Sequence, residues 1–376
     1  MVAEARLGIS GAGSRESLPV NAVDGPAERA GRPSNTAGAA APRQRPDQQR
    51  LAVLDGWRAI SILLVLATHL LPLGPKRWQV NDTTGPMGMS LFFTLSGFLI
   101  TQQLYARRNV AAFFVRRLFR IVPLAWGYTV VVMILLRPGL RALFAHLFFV
   151  INYDFPSITE ITTHFWSLCV EVHFYCFIGL LMAVTRFRGF LLLPLVWFVM
   201  FLVRAIWAPL GTIETHYRVD EILSGTCLAL IYLGLFGPRP QAIIARLPFP
   251  VLMAALILTC HPRTGTLNAF RGLTALLLVG HTLFTPDEKR YRWLGGRGLR
   301  YIAETSYALY VIHPLTRYGW LGSGPTMVKY AKRIITFSLT FVLAHLSTFF
   351  FERPCTEFGK RLASRIEKRA PRAVET

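Results

Sequence analysis

Apolar runs long enough to cross a lipid bilayer recur along most of this chain. A helix needs about 20 mainly apolar residues to cross about 30 Å of hydrocarbon. Only 16% of the 376 residues are charged, too few to cover a soluble protein of this size. We therefore predict an all-α, polytopic membrane protein with about ten transmembrane helices. The ten candidate segments are residues 52–73, 88–104, 119–136, 164–184, 189–207, 219–236, 249–262, 267–284, 303–320 and 334–351.

Composition divides the chain into three parts. Residues 1–48 are rich in Ala, Gly, Pro, Arg and Ser and are predicted to be a disordered cytoplasmic tail without a signal peptide. Residues 49–354 hold the apolar segments and are predicted to form one membrane domain, and residues 355–376 a basic cytoplasmic tail. Within the domain, the short apolar piece from Leu140 to Ile151 is expected to lie in the interface or to re-enter the membrane.

The net charge of +21 bears on orientation rather than on nucleic-acid binding. If the N-terminus is cytoplasmic, 28 of the 41 Lys and Arg residues lie on the cytoplasmic side and 12 on the other side. This split follows the positive-inside rule and predicts that both termini are cytoplasmic, although the two tails contribute half of the 28. No basic recognition helix or aromatic RNA-binding platform is present, so the expected partner is the lipid bilayer and not a nucleic acid.

Three ionisable residues stand in the first segment. Arg58 and His69 are eleven residues apart, so on a helix they share one face to within about 20° and lie about 16 Å apart along the axis. Asp55 is one turn from Arg58 and is expected to pair with it. Because such groups are costly inside a bilayer, we predict that His69 is a general base for a hydroxyl. The alternative is that Asp55 and Arg58 cap an interface while His69 bonds a neighbouring helix.

The fourth segment carries a polar stripe. Ser167, Glu171 and Tyr175 follow one another at one-turn spacing and therefore line one helix face. A carboxylate inside the membrane needs a cation or a hydrogen-bond donor, and His69 or Arg58 would serve. Glu171 is accordingly predicted to be functional, with a purely structural ion pair as the alternative.

A pair of arginines begins the third segment. Arg117 and Arg120 are i,i+3 neighbours, a spacing that suits the binding of phosphates. The alternative interpretation is a positive-inside anchor.

Other polar residues are weaker candidates. Ser96, beside Gly97, would either take part in a site or let two helices approach closely. Asp220 and His313 would either line a site or cap a helix end. No metal-binding spacing occurs, so no metal is expected.

Several ordered sequence blocks together resemble the acyltransferase family 3 of membrane O-acyltransferases. This family includes bacterial polysaccharide O-acetylases and macrolide acyltransferases. The likeness runs from about Leu54 to Pro354. The blocks are LDGWRAISILLVLATH, FFTLSGFLIT, RRLFRIVPLAW, HFWSLCVEVHFY, YRVDEILSGTCLA, SYALYVIHP and FERP.

The resemblance implies a site and a reaction. The family's Arg-x10-His motif falls on Arg58 and His69, and its Arg-x-x-Arg motif on Arg117 and Arg120. It implies ten core helices in a bacterial plasma membrane, and no bound cofactor. It also implies acyl-CoA, often acetyl-CoA, as a cytoplasmic co-substrate, and a carbohydrate or small-molecule hydroxyl as acceptor.

Two departures from the family pattern bear on the acceptor. The family's usual Val-Glu-Glu-Gln is Val170-Glu171-Val172-His173 here, so one acid and one amide are lost. No hydrolase-like domain follows Pro354, so the chain resembles the stand-alone members.

Together these features predict a membrane O-acyltransferase. His69 would act as general base or transient acyl carrier, Arg58 would neutralise donor charge or steady the reacting carbonyl, and Glu171 would orient the imidazole. The alternative is a transporter or flippase without acyl-transfer chemistry, because membrane-embedded ionisable residues also serve proton relays. Against it, the sequence has no internal inverted repeat.

Overall fold

A computed structural model describes residues 46–209, 211–285 and 289–369. Within these ranges the chain is mainly helical and contains no β-strand, which confirms the all-α prediction. The predicted disordered tail, residues 1–48, lies outside the described residues except for its last three, which begin the first helix. The helices are α1 (Pro46–Leu70), α2 (Val80–Arg107), α3 (Val110–Leu136), α4 (Leu140–Leu147), α5 (Phe165–Val184), α6 (Leu193–Trp207), α7 (Thr215–Tyr232), α8 (Arg239–Arg246), α9 (Phe249–Cys260), α10 (Arg271–Phe284), α11 (Arg297–Thr316), α12 (Thr326–Ala331), α13 (Arg333–Leu346) and α14 (Arg353–Arg369).

The polytopic architecture is confirmed, with one refinement of the predicted number of spans. Among the described residues, seven helical segments are long and apolar enough to cross a membrane. The count is eight if α8 and α9, bent by 87°, form one broken span. The two remaining predicted segments, residues 219–236 and 303–320, coincide largely with α7 and α11. These two helices carry buried charged and polar side chains, which lower their mean hydropathy.

The bundle is apolar outside and partly polar inside. Large apolar side chains such as Leu180 and Val184 are 65% and 74% exposed, as expected of a surface that meets lipid. Glu221, Ser224 and Thr226 of α7 are fully buried. Hydrogen bonds between buried polar side chains hold membrane helices together where apolar packing offers no advantage over lipid.

Gly97 and Gly225 allow the backbones of α2 and α7 to touch. A Cβ built at Gly97 would lie 1.9 Å from the carbonyl oxygen of Ile222, and one at Gly225 would lie 1.9 Å from that of Thr94. The helix-packing interpretation of the Ser96–Gly97 pair therefore holds for Gly97. Ser96 instead belongs to the polar interior described below.

Gly97→Ala is expected to destabilise the bundle by about 1–3 kcal/mol or more. The added methyl group would clash with the backbone carbonyl of Ile222, which, unlike a side chain, cannot rotate out of the way. Thermal unfolding of the purified protein in detergent measures the effect. Gly127→Ala is the matched control, since a Cβ at Gly127 of α3 meets nothing within 4 Å. Equal midpoints for the two variants would contradict the close approach.

The C-terminal segment departs from the predicted tail. A π-helical turn, Ser347–Glu352, joins α13 to α14, so the predicted boundary at residue 354 falls inside a continuous helical segment. Helix α14 packs on α3, where Phe358 contacts the ring of Phe119 at 5.3 Å between centroids. Residues 355–369 are therefore part of the domain, because their amphipathic pattern lets one face pack on α3.

The connection between α3 and α5 contains the short apolar piece expected at the interface. It forms α4, whose Ala142 and Ala145 are buried while Leu140 and Phe144 are exposed. Eight residues are too few to cross a bilayer, so α4 does not span it.

Candidate active site

Helix α1 presents Arg58 and His69 to different cavities, about 16 Å apart along the helix axis. Arg58 lines a cleft of about 440 Å³, here called the arginine cleft. His69 lines a chamber of about 430 Å³ at the C-terminal end of the helix, here called the histidine chamber. The helix that the sequence predicted as one polar stripe thus bridges two compartments.

Among the residues that the structure describes, five cations and no carboxylate line the arginine cleft. They are Arg58, Arg116, Arg117, Arg120 and Lys360. Two of them are held by neighbours: Arg117 donates to the side-chain oxygen of Gln103, and Arg116 pairs with Glu367 of α14. The other four cations of the cleft form no ion pair within 4 Å with a described residue. A cluster of cations with so little compensation is suited to a ligand with several phosphates.

Glu171 lies beside this cleft and does not contact His69. Its Oε1 accepts hydrogen bonds from Ser96 Oγ at 2.8 Å and from the Tyr175 hydroxyl at 2.5 Å. Arg117 lies over the ring of Tyr175, at 5.5 Å from its centroid. The predicted role of Glu171 in orienting the imidazole is therefore wrong in its geometry, because the side chain points from α5 toward the arginines.

The partner of His69 is His313. The Nδ1 atom of His69 is 3.3 Å from Nε2 of His313, and the two rings stack with centroids 5.0 Å apart. Nδ1 of His313 lies 2.7 Å from the carbonyl oxygen of Tyr310. A carbonyl only accepts, so His313 Nδ1 carries a proton and, in the neutral ring, its Nε2 accepts the Nδ1–H of His69. This tautomer leaves Nε2 of His69 with a free lone pair, which is what a general base needs.

Comparison with known proteins supports an enzyme of this kind. The sequence profile of the "Acyltransferase domain" family matches residues 51–352. This chain belongs to that acyltransferase family.

Two relatives show how far the likeness extends. The peptidoglycan O-acetyltransferase OatA of Listeria monocytogenes is 25% identical over 356 residues, which cover 81% of this chain and 56% of the relative. The O-acetyltransferase OatA of Staphylococcus aureus is 24% identical over 376 residues, which cover 86% and 60%. The chain thus spans less than two thirds of these relatives. No solved structure matches it.

Family membership confirms the predicted enzyme class of this acyltransferase and favours it over a transporter. The Arg-x10-His motif that the resemblance implied reaches both cavities, because Arg58 lines the arginine cleft and His69 the histidine chamber. Both residues of the Arg-x-x-Arg motif, Arg117 and Arg120, line the arginine cleft. The catalytic and donor-binding roles of these residues remain predictions. Arg120 is the more exposed arginine of the pair.

Asp220 of the acyltransferase belongs to a buried ionic cluster and not to the histidine pair. Its two carboxylate oxygens accept from Nη1 of Arg204 at 3.0 and 3.1 Å. The adjacent Glu221 accepts from Arg204 at 2.6 Å and from Arg271 at 2.8 Å, and it pairs with Arg218 at 3.3 Å. Asp220 therefore neither lines the chamber nor caps a helix end, since it lies inside α7, which begins at Thr215. Arg218 and Arg271 do line the histidine chamber.

Asp55 and Ser167 do not contact His69 in the structure. Asp55 makes no ion pair within 4 Å in the described part of the chain, so the expected close contact with Arg58 is absent and only longer-range attraction remains. Ser167 Oγ lies 2.5 Å from the hydroxyl of Tyr310, on the face of α5 turned to α11. Ser167 thereby positions the helix that carries His313.

The acyltransferase has one further chamber residue that spacing alone does not reveal. His164, just before α5, donates from Nε2 to the carbonyl of Val311 at 3.1 Å and lines the chamber. Its ring lies 5.5 Å from that of His313. Its Nδ1 is buried and has no hydrogen-bond partner among the described residues. The signal in the sequence is weak, because His164 comes near His313 only through the packing of α5 on α11.

Proposed function

We propose that the acyltransferase moves an acyl group, in the simplest case acetyl, from acyl-CoA to a hydroxyl of a carbohydrate or other small molecule. The observation that carries this proposal is the 3.3 Å contact between Nδ1 of His69 and Nε2 of His313, because it assigns the free lone pair to Nε2 of a histidine that lines the histidine chamber. A hydroxyl is a weak nucleophile and requires such a base at neutral pH.

The arginine cleft is assigned to the phosphates of the donor. Its described lining offers five cations and no carboxylate in about 440 Å³, and one of the cations, Arg58, belongs to the helix that carries His69. Phosphates bound there would leave the narrow thioester arm to extend along α1 toward the imidazole. The donor would be held near the middle of α1 and the acceptor at its C-terminal end. Holding both molecules in one protein raises the effective concentration of the two reacting groups.

The proton and the acyl group then move as follows. His69 Nε2 removes the proton of the acceptor hydroxyl while its oxygen attacks the thioester carbonyl carbon. The carbon–sulfur bond breaks, an ester forms, and the thiolate of CoA leaves with the proton that His69 had taken. His313 stabilises the transient imidazolium through its Nε2, which accepts from His69 Nδ1. In the stepwise variant, Nε2 attacks the carbonyl itself and carries the acyl group before passing it on.

The names of the relatives support the acceptor class. OatA of Listeria monocytogenes is called a peptidoglycan O-acetyltransferase, and peptidoglycan offers carbohydrate hydroxyls. Membranes containing this chain, incubated with labelled acetyl-CoA and a panel of glycans, should release free CoA and form a labelled ester only when an acceptor is present. Movement of a solute without any covalent change would instead support the transporter alternative.

Replacing Arg117 with Gln is expected to raise the KM for acyl-CoA about 10- to 100-fold, because a charge-assisted hydrogen bond contributes about 1.5–3 kcal/mol. The value of kcat at saturating donor should change little. Initial rates of CoA release against donor concentration measure both constants. Arg353→Gln is the control, since the side chain of Arg353 is 51% exposed and pairs with Glu304 outside the cleft. A lower kcat with an unchanged KM would contradict the assignment.

A further inference from the structure

A second cavity of about 440 Å³ also contains His69 in its lining, and its charge is strongly positive. It is here called the basic pocket. Four cations and one carboxylate, Asp82, line it, which leaves a net charge of +3. The four cations are Lys76, Arg317, Lys329 and Arg333. None of these four forms an ion pair within 4 Å anywhere in the described ranges, so the charge is uncompensated.

Arg333 gives the strongest indication that the basic pocket binds an anion. It is 7% exposed, and its Nε and Nη1 atoms are buried without a hydrogen-bond partner among the residues that the structure describes. A buried guanidinium N–H group that lacks a partner costs free energy. An anionic oxygen in the pocket would remove this cost, and it would also reduce the repulsion between Arg333 and Arg317.

The basic pocket is directly connected to the proposed catalytic base. Arg317 Nη1 donates to the backbone carbonyl of His69 at 3.2 Å. Thr68, Asn81 and Asp82 line both the basic pocket and the histidine chamber, so the two cavities meet at His69. A ligand held by Arg317 would therefore keep its neighbouring atoms beside the imidazole.

We propose that the basic pocket binds an acid group, a phosphate or a carboxylate, on the acceptor molecule and so selects anionic acceptors. This inference rests on the proposed function, because the proposed function places the acceptor near His69. The donor phosphates are already provided for in the arginine cleft, about 16 Å away along the helix. Two arginines that can bind oxygen pairs in a bidentate manner suit either kind of acid group.

Binding of small sugar acids tests the proposal without any acyl transfer. The probes are glucose 1-phosphate, glucuronate and the neutral methyl glucoside, compared at equal ionic strength on the full chain in detergent. A ligand that binds the folded state raises its thermal midpoint. We expect a midpoint increase with at least one of the two acids and none with methyl glucoside. Arg333→Gln should weaken acid binding by about 10-fold or more.

Two further variants make the result specific to this pocket. Lys329→Gln, at the rim, should also weaken acid binding, and it serves if Arg333→Gln does not fold. Arg117→Gln removes a cation from the other cavity and should leave the response to glucuronate unchanged. The proposal is overturned if neither acid binds better than methyl glucoside, or if the basic-pocket variants respond like the unmodified protein.

The ratio of transfer rates on anionic and neutral acceptors distinguishes a failure of this inference from a failure of the proposed function. If the chain transfers acyl groups but Arg333→Gln leaves the ratio of rates on anionic and neutral acceptors unchanged, only the assignment of the pocket fails. If acids bind in the pocket and no acceptor is ever acylated, the proposed function fails while the binding site stands.

Discussion

Replacement of His69 by Ala is expected to lower acyl transfer by at least about 10²–10⁴-fold, the usual contribution of a general base. The structure gives the reason: Nδ1 of His69 is engaged by His313, which leaves Nε2 as the basic atom, and His69 lines both the histidine chamber and the basic pocket. The measurement is acceptor-dependent release of CoA by purified protein in lipid nanodiscs.

His345→Ala is the matched control for this variant. His345 is an exposed histidine whose Nδ1 lies 3.1 Å from the hydroxyl of Tyr301, away from both cavities that His69 lines. It should keep the activity of the unmodified chain. Normal transfer by His69→Ala with normal folding would refute the proposed mechanism, whichever acceptor is used.

Glu221→Gln is expected to destabilise the protein by about 3–5 kcal/mol, the cost of removing one partner from a buried ion pair. Glu221 is fully buried, and Arg204, Arg218 and Arg271 all contact its Oε1. Without its charge, the three guanidinium groups would share the single carboxylate of Asp220. The thermal midpoint should fall by about 6 °C or more.

Glu304→Gln provides the comparison for the ionic cluster. Its side chain is 41% exposed and pairs with the exposed Arg353, and such surface pairs contribute only about 0–1 kcal/mol. A midpoint for Glu221→Gln as high as that for Glu304→Gln would contradict the importance of the cluster. Because Arg218 and Arg271 also line the histidine chamber, Glu221→Gln should lower transfer as well as stability.

The ionic cluster explains why α7 is hard to recognise as a membrane helix. Its charged residues make it less apolar than a typical span, yet they are paired inside the bundle rather than exposed to lipid. Burial in this cluster also affects the count of basic residues on the two sides of the membrane. Three of the 12 basic residues counted on the non-cytoplasmic side, Arg204, Arg218 and Arg271, are buried in this cluster instead of lying in a loop, so the orientation of the termini remains a prediction.

The sequence by itself determined the class of fold and the local geometry of α1. Apolar run length depends only on composition and on the thickness of a bilayer, so the polytopic all-α architecture followed from it. The rotation of 100° per residue likewise places Arg58 and His69 on one face without knowledge of any other helix. Helical spacing also placed Glu171 and Tyr175 on one face of α5, where a hydrogen bond of 2.5 Å joins them.

Only the tertiary structure decided the partners across helices. His69 meets His313 although 244 positions separate them, and Glu171 meets Ser96 instead of the imidazole. Such contacts depend on which helices pack together and at what depth, which periodicity within one segment does not specify. The basic pocket, where Arg317 and Arg333 from two later helical segments flank His69, arises from the same packing and has no counterpart in any local pattern.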